Sequence, residues 1–123
     1  MIPYGYLLDT CVFVRFLAED DSRHEPVKTV IAQLAGTGVL LALTPQVARE
    51  AWAVMTRPKE VNGYGLPPDT VLTAVKLAAQ EFAFLADTPS VYDFWLGLVG
   101  RHRVSGRQVR DAYHVAAMKA HGI

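Results

Sequence analysis

The sequence has little cysteine, no excess of either charge and no long apolar run, and each shortage excludes a class of protein. Cys11 is the single cysteine in 123 residues, so the chain can form neither an internal disulfide nor a CxxC zinc motif, and we expect this thiol to pack in the interior. Lysine plus arginine equal aspartate plus glutamate at 12 each, so no global positive field favours indiscriminate binding of nucleic acid. Any such binding must come from a local basic patch.

The N-terminal stretch MIPYGYLLDT has no basic leader, and its apolar run is too short for a signal peptide or a membrane span. We therefore expect a cytoplasmic protein that does not bind membranes. Hydrophobic residues make up 51% of the chain and charged residues 20%, which is typical of a folded protein and excludes wholesale disorder. Since no repeat or linker interrupts the sequence, we expect residues 1–123 to form one domain.

Short apolar runs alternate with amphipathic segments along the chain. Strands are predicted over residues 4–8, 39–44 and within 82–87. Helices are predicted over residues 12–17, 25–35, 45–57, 69–81, 91–103 and 106–122. Thr10 is expected to cap the first of these helices and Gly122 to end the last. The alternation predicts an α/β protein with a parallel sheet covered by helices on both faces, where ligands bind beyond the carboxyl ends of the strands.

Three carboxylates border the apolar surfaces of this predicted sheet. Asp9 directly follows the first strand, and Glu50 and Asp111 lie beside core-facing alanines on two helices. Asp9 could simply cap the next helix, and position alone leaves that reading as open as a functional one. If the three surfaces meet, however, the acids converge, and repelling anions persist together only where a cation or shared protons relieve them. Oxygen ligands without cysteine or histidine favour Mg²⁺ or Mn²⁺ over Zn²⁺.

The stretch RHRVSGRQVR contains four arginines and no acid. Arg103, Arg107 and Arg110 could bind RNA phosphates beside Asp111, or they could form a solvated helix end. Arg107 also precedes Asp111 by one helical turn, so the two could pair with each other. His114 could contact substrate, although a lone helical histidine is more often packed.

Three large aromatic side chains occupy helical positions with apolar neighbours. We expect them to pack in the core or at an interface rather than to stack on bases. They are Trp52, Phe94 and Trp95.

Three blocks of the sequence are similar, in order, to a known family. YLLDTCVFVRFL, TPQVAREAWAVMTRP and GRQVRDAYHVAAMKAHG resemble the acidic blocks of the PIN-domain ribonucleases, and most closely those of VapC-type toxins from bacterial toxin–antitoxin pairs. The resemblance implies a three-layer α/β/α sandwich with a central parallel sheet and a divalent-metal-dependent endoribonuclease. It implies that Asp9, Glu50 and Asp111 bind Mg²⁺ or Mn²⁺ and that Thr10 is a catalytic hydroxyl. An RNA substrate, a cognate antitoxin and a homodimer are implied partners.

The sequence departs from the family pattern at two places. Cys11 stands where members usually have asparagine or a small polar residue. Members also continue past the position of Gly122 into a further strand and a fourth acid, so we expect that acid to be missing here and Asp93 to face solvent rather than to replace it. The alternative is therefore a catalytically impaired PIN-like module that binds an antitoxin or RNA. A flavodoxin-like or nucleotide-binding protein has only the fold in its favour.

Overall fold

A computed structural model describes residues 5–123, which form three strands, six α-helices and one short 3₁₀ turn. Tyr4, which we predicted to begin the first strand, lies outside the described residues. Strands and helices otherwise follow the predicted order, with ends shifted by a few residues. The elements are β1 (Gly5–Leu7), α1 (Thr10–Leu17), α2 (His24–Gly36), β2 (Leu40–Leu43), α3 (Pro45–Thr56), the 3₁₀ turn (Lys59–Val61), α4 (Pro68–Ala79), β3 (Ala83–Phe84), α5 (Pro89–Arg101) and α6 (Gln108–Ala120).

The three strands form one parallel sheet in the order β1-β2-β3. Tyr6 pairs with Leu41 across the first pair of strands, and Ala42 pairs with Ala83 across the second. Each connection between neighbouring strands contains helices, as parallel pairing requires. This arrangement agrees with the predicted α/β/α class.

Buried apolar side chains form two clusters among the described residues. The larger joins the sheet to α1, α2, α3 and α4, and Phe13, Val47 and Val71 are fully buried in it. The smaller lies between α5 and α6, around Val91 and Ala116. The α5–α6 pair therefore has a core of its own beside the main one.

The start of α1 differs from the prediction. Asp9, not Thr10, is the N-cap residue, and its Oδ1 accepts a hydrogen bond from the Val12 amide at 2.9 Å. Thr10 is the first residue of the helix, so its hydroxyl does not serve as the cap. Adjacent Asp and Thr are both good N-caps, and the choice between them depends on where the strand releases the chain.

Cys11 is exposed, so the expectation that it packs in the interior is wrong. It precedes the buried Phe13 by two positions, which places the two side chains on opposite sides of α1. The Cys11 thiol, next to Thr10 in the first turn of α1, is therefore accessible to solvent. None of the helices within residues 5–123 is long and apolar enough to cross a membrane.

The segment after α3 is tied to the segment after α1 by one side-chain contact. The Tyr64 hydroxyl donates a hydrogen bond to Asp21 Oδ2 at 2.5 Å. Burial, together with this contact and the charge of Asp21, raises the pKa of Tyr64 to about 12. The same hydrogen bond, together with one that the Arg23 backbone amide donates to Asp21, holds the pKa of Asp21 below its ordinary value. Gly63 lets the backbone pass close to Arg57, because a Cβ at this position would clash with the Arg57 carbonyl oxygen.

Candidate active site

The sheet places the first two acidic blocks at one edge. Leu8 continues from β1 by donating its amide to the Ala42 carbonyl, and Asp9 follows at once. Next to it, β2 ends at Leu43, and Thr44 caps α3 through a hydrogen bond from the Val47 amide at 3.3 Å. Since β1 and β2 run parallel, α1 and α3 both begin at the carboxyl edge of the sheet.

Glu50 is the centre of the site. Its Oε2 accepts a hydrogen bond from the Thr10 hydroxyl at 2.6 Å, which links α3 to the first residue of α1. Its Oε1 accepts from Gln46 Nε2 at 3.0 Å and from Arg110 Nη1 at 3.1 Å, the latter also an ion pair. One carboxylate thus connects three helices that are far apart in the sequence.

The donors around Glu50 set its ionisation. Burial alone would raise the pKa of Glu50, but the hydrogen bonds from Thr10, Gln46 and Arg110 outweigh it, so the pKa lies below its ordinary value. The side chain keeps 28% of its surface exposed. Glu50 is therefore a fixed anion at neutral pH.

The charges of all three predicted acids act on the side chain of His114. It is half-buried on α6, and its Nδ1 is buried without a hydrogen-bond partner among the described residues. Burial lowers the pKa of His114, while the charges of Glu50, Asp111 and Asp9 act in the opposite direction. Carboxylates from three separate blocks therefore lie within electrostatic reach of one imidazole.

The acids fit a hard divalent cation by type but not by arrangement. Within residues 5–123, no group of three or more His, Cys, Asp or Glu side chains is placed so that it could hold a metal ion. Asp9 Oδ1 caps α1, and Glu50 Oε1 is in contact with the Arg110 guanidinium. Asp111 is exposed in the first turn of α6, where a helix dipole also favours an acid.

The family is settled by comparison with known proteins. The sequence profile described as PIN domain matches residues 6–123. This chain belongs to the PIN domain family. The predicted resemblance to PIN-domain ribonucleases of VapC type is thereby confirmed at the level of the family and the fold.

Among solved structures, this PIN domain is similar to the VapC20 toxin of Mycobacterium tuberculosis, a toxin that cleaves the sarcin-ricin loop. The two superpose with a TM-score of 0.65 at 16% sequence identity, over 95% of this chain and 83% of that one. No curated protein matches significantly. The structural likeness confirms the three-layer fold.

The predicted basic residues of this PIN domain surround the start of α6. Arg103 and Arg107 are exposed, and Arg107 occupies the N-cap position without a side-chain hydrogen bond. Within the described part of the chain Arg107 forms no ion pair with Asp111, and Arg110 pairs with Glu50 instead. A cation at a helix N-terminus opposes the helix dipole, so Arg107 does not stabilise α6 electrostatically.

The tryptophans pack as expected but not identically. Trp52 packs against the main core, and Trp95 packs in the smaller cluster with its Nε1 donating to the Val109 carbonyl at 3.1 Å. Phe94 is 38% exposed and lies under the Lys119 ammonium, 5.1 Å from the ring centre. Of these aromatics, Trp95 is the one whose surroundings connect to the site.

Two residues at or near the site were missed from the sequence. Gln46 donates a hydrogen bond to Glu50, which lies four residues later on the same helix. This i, i+4 spacing could have identified Gln46 from the sequence. Tyr113 donates its hydroxyl to Asp87, and no sequence pattern relates these two. The second contact depends entirely on how α6 packs against the end of β3.

Proposed function

We propose that this chain is a divalent-metal-dependent endoribonuclease that cleaves RNA phosphodiester bonds as the toxin of a toxin–antitoxin pair. The observation that carries the proposal is the assembly around Glu50. Thr10 and Arg110, from the first and third acidic blocks, bond the carboxylate of the second block. Membership of the PIN domain family supports the same conclusion.

The proposed ligands of Mg²⁺ or Mn²⁺ are Asp9, Glu50 and Asp111. When bound, such an ion supplies an activated water and screens the phosphate charge. Thr10 acts through its hydroxyl, which holds the Glu50 carboxylate in one orientation. His114, half-buried and with its pKa lowered, is neutral at physiological pH, so an imidazole nitrogen can accept a proton.

The proposed RNA contacts are Arg103, Arg107, Arg110 and His114. The three arginines are exposed near the start of α6, so they can bind phosphates without rearrangement of the core. Arg110 must exchange its ion pair with Glu50 for a phosphate, which is feasible because its side chain is 61% exposed. RNA and the catalytic carboxylates then compete for one guanidinium.

Partners and context are proposed on the same basis. We propose a cognate antitoxin that covers the site, a homodimer, a cytoplasmic location and a single domain over residues 1–123. Size measurement of the purified protein and co-expression with its genomic neighbour test the first two.

The direct test is incubation of the purified protein with structured RNA, with and without Mn²⁺. Asp9→Asn removes the charge but keeps a side chain that caps helices well. We expect this variant to cut roughly 100-fold more slowly or worse, since even outer-sphere partners of metals matter by 10- to 100-fold. Asp93→Asn, which removes an exposed carboxylate from α5, is the control and should cut normally. Equal rates for Asp9→Asn and the parent would refute the metal mechanism.

A catalytically impaired PIN-like module that binds an antitoxin or RNA is the second candidate. It is favoured by the arrangement of the acids, because Arg110 rather than an open position faces Glu50 Oε1. Calorimetric titration with Mn²⁺ separates the two candidates. Tight binding that Asp111→Asn abolishes contradicts the module, whereas RNA binding without metal binding or cleavage contradicts the nuclease.

A further inference from the structure

We infer that a cavity on the α5–α6 pair is a subsite for a guanine base of the RNA, an inference that rests on the proposed ribonuclease function. This base cavity has a volume of about 250 Å³. Its walls combine aromatic rings with one carboxylate, which is the composition of a site that binds a planar polar ligand. It is lined by Asp87, Thr88, Val91, Tyr92, Trp95 and Tyr113.

The base cavity shares two wall residues with a second cavity that lies beside the site around Glu50. Trp95 and Tyr113 also line the second cavity, together with Gln46, Val109 and Arg110. Gln46 and Arg110 are the residues that hydrogen-bond Glu50 Oε1. A nucleotide whose phosphate lies near Arg110 would therefore have its base directed toward Trp95.

Two aromatic rings form a platform for stacking. The ring centres of Tyr92 and Trp95 lie 5.9 Å apart with a tilt of 38°. Trp95 is held in place by its hydrogen bond to the Val109 carbonyl, while Tyr92 is 59% exposed. Proteins bind unpaired bases on such faces, and a platform that is already ordered loses little entropy when a base stacks on it.

Asp87 gives the cavity its preference. Its Oδ1 accepts a hydrogen bond from the Tyr113 hydroxyl, and within residues 5–123 no donor contacts its Oδ2. An ionised carboxylate only accepts hydrogen bonds. Guanine presents two adjacent donors on its Watson–Crick edge, N1–H and the 2-amino group. Adenine and cytosine each place a ring acceptor beside the amino group, and uracil places carbonyls on both sides of its N–H, so the carboxylate repels part of each edge.

The charges around the cavity favour a nucleotide over a protein segment. Arg107 and Arg110 are exposed at the start of α6 and complement a phosphate next to the bound base. An apolar side chain from a second copy of this chain would leave Asp87 without a new partner and would bring no anion to the arginines. A nucleotide supplies both a donor edge for Asp87 and an anion for the arginines.

The test uses mononucleotides and no metal. Trp52→Phe leaves Trp95 as the single tryptophan, so its fluorescence reports on the cavity. This protein is titrated in chelator with GMP, IMP and AMP, which share one phosphate and differ at the base edge. We expect GMP to quench Trp95 and to bind at least about tenfold more tightly than IMP, which lacks the 2-amino group, and than AMP, because hydrogen bonds to a charged group are strong.

Three further variants identify the source of the preference. Asp87→Asn can still accept from Tyr113 and should remove the preference for GMP over IMP. Tyr92→Leu should weaken the binding of all three nucleotides alike, by about fivefold or more, since base stacking is sequence-tolerant. The control is Asp93→Asn. Asp93 is an exposed acid on α5, the helix of Tyr92, and does not line the cavity, so this change should leave every affinity unchanged.

Equal affinities for GMP, IMP and AMP would overturn the inference, and so would the absence of quenching by any of them. A change from dimer to monomer in Tyr92→Leu without nucleotide binding would show that the cavity is an interface between copies, which also overturns it. Because no metal is present, these results are independent of cleavage. A guanine preference without RNA cleavage would support the subsite and refute the nuclease, and cleavage without a preference would do the reverse.

Discussion

At the scale of single residues, three hydrogen-bond donors compensate the charge of Glu50 at the sheet edge. Arg110 supplies the positive charge, and Thr10 and Gln46 supply neutral donors. The ion pair is worth little in free energy, roughly 0.2–1 kcal/mol, because the arginine side chain is mostly exposed. The Arg110–Glu50 ion pair can therefore break at a small cost in free energy.

Arg110→Gln should separate two consequences of this pairing. The variant frees Glu50 Oε1, so we expect Mn²⁺ to bind about two- to fivefold more tightly, the equivalent of the lost ion pair. The same change should weaken RNA binding and make the slope of its salt dependence shallower by about 0.7, the value for one phosphate contact with single-stranded nucleic acid. Calorimetry with Mn²⁺ and fluorescence anisotropy with labelled RNA measure the two effects.

Lys28→Gln is the matched control, since it removes one exposed positive charge on α2. It should leave both measurements unchanged. If Arg110→Gln weakens Mn²⁺ binding, the guanidinium supports the site rather than competing with the metal.

The sequence alone made the three acids candidates for the site, but their contacts could not be predicted from it. Asp9, Glu50 and Asp111 each follow or border a recognisable apolar pattern. The bond between Arg110 and Glu50 spans 60 residues and depends on the packing of α6 beside α3, which no local pattern encodes. For the same reason the helical spacing predicted Asp111 as a possible partner for Arg107, a pair that does not form in the described part of the chain.

At the scale of the elements, substitutions can separate the observed role of Asp9 from its proposed one. It caps α1 and it is a proposed metal ligand. Asp9→Ala should destabilise the protein by about 1 kcal/mol, the usual cost of losing an N-cap, whereas Asp9→Asn should cost little because asparagine caps equally well. Urea unfolding of both variants measures the difference. Equal destabilisation would mean that the charge rather than the cap stabilises α1.

The bond between Tyr64 and Asp21 should stabilise the protein only within a range of pH. Tyr64→Phe should lower the free energy of unfolding by about 1 kcal/mol near neutral pH, since the lost bond is to a charged but partly exposed group. The pKa of Asp21 is lowered from 3.8, so its contribution is present above that value and is lost as the pH falls through the folded pKa. The pKa of Tyr64 is raised from 10.0 to about 12, so that contribution is present below 10.0 and is lost as the pH rises through about 12.

The difference between parent and Tyr64→Phe should therefore be flat from weakly acidic to weakly basic conditions and shrink at both extremes. Urea unfolding across this range tests it, with Tyr92→Phe, whose ring is exposed, as the control. A difference that persists unchanged in strong acid would show that the hydroxyl does not act through the Asp21 carboxylate.

Elements were easier to predict than the contacts that join them. Proline in the first turn and threonine before it correctly predicted the start of α3, and Pro89 begins α5 in the same way. The exposure of Cys11 was predicted wrongly because cysteine as a residue type is usually buried. The helical phase set by Phe13 was the better guide, since it places Cys11 on the outer side of α1.

At the scale of the whole molecule, the two apolar clusters divide the protein into parts of unequal support. The main cluster joins the sheet to four helices, while α5 and α6 bury a small core between them. Among residues 5–123, few polar side-chain contacts join α6 to the rest of the protein, and they include the Arg110–Glu50 ion pair and the bond from His121 to the Ala86 carbonyl. We expect the α5–α6 pair to open at a lower free energy than the sheet.

The tryptophans provide a test of this division, since each one belongs to a different cluster. In urea, Trp95 fluorescence in Trp52→Phe should change at a lower concentration than Trp52 fluorescence in Trp95→Phe. Far-ultraviolet circular dichroism of both variants controls for any loss of overall stability. Coincident transitions for the two probes would show a single cooperative unit.

The exposed thiol of Cys11 in the first turn of α1 allows a single spin label to be attached beside the proposed metal site. Cys11 adjoins Thr10 and is the chain's single cysteine, so a nitroxide reagent attaches at one known address. Mn²⁺ is paramagnetic, and its arrival near that address would broaden the nitroxide spectrum, whereas diamagnetic Mg²⁺ would not. Occupancy of the carboxyl edge of the sheet can therefore be read by electron paramagnetic resonance, without RNA and without turnover.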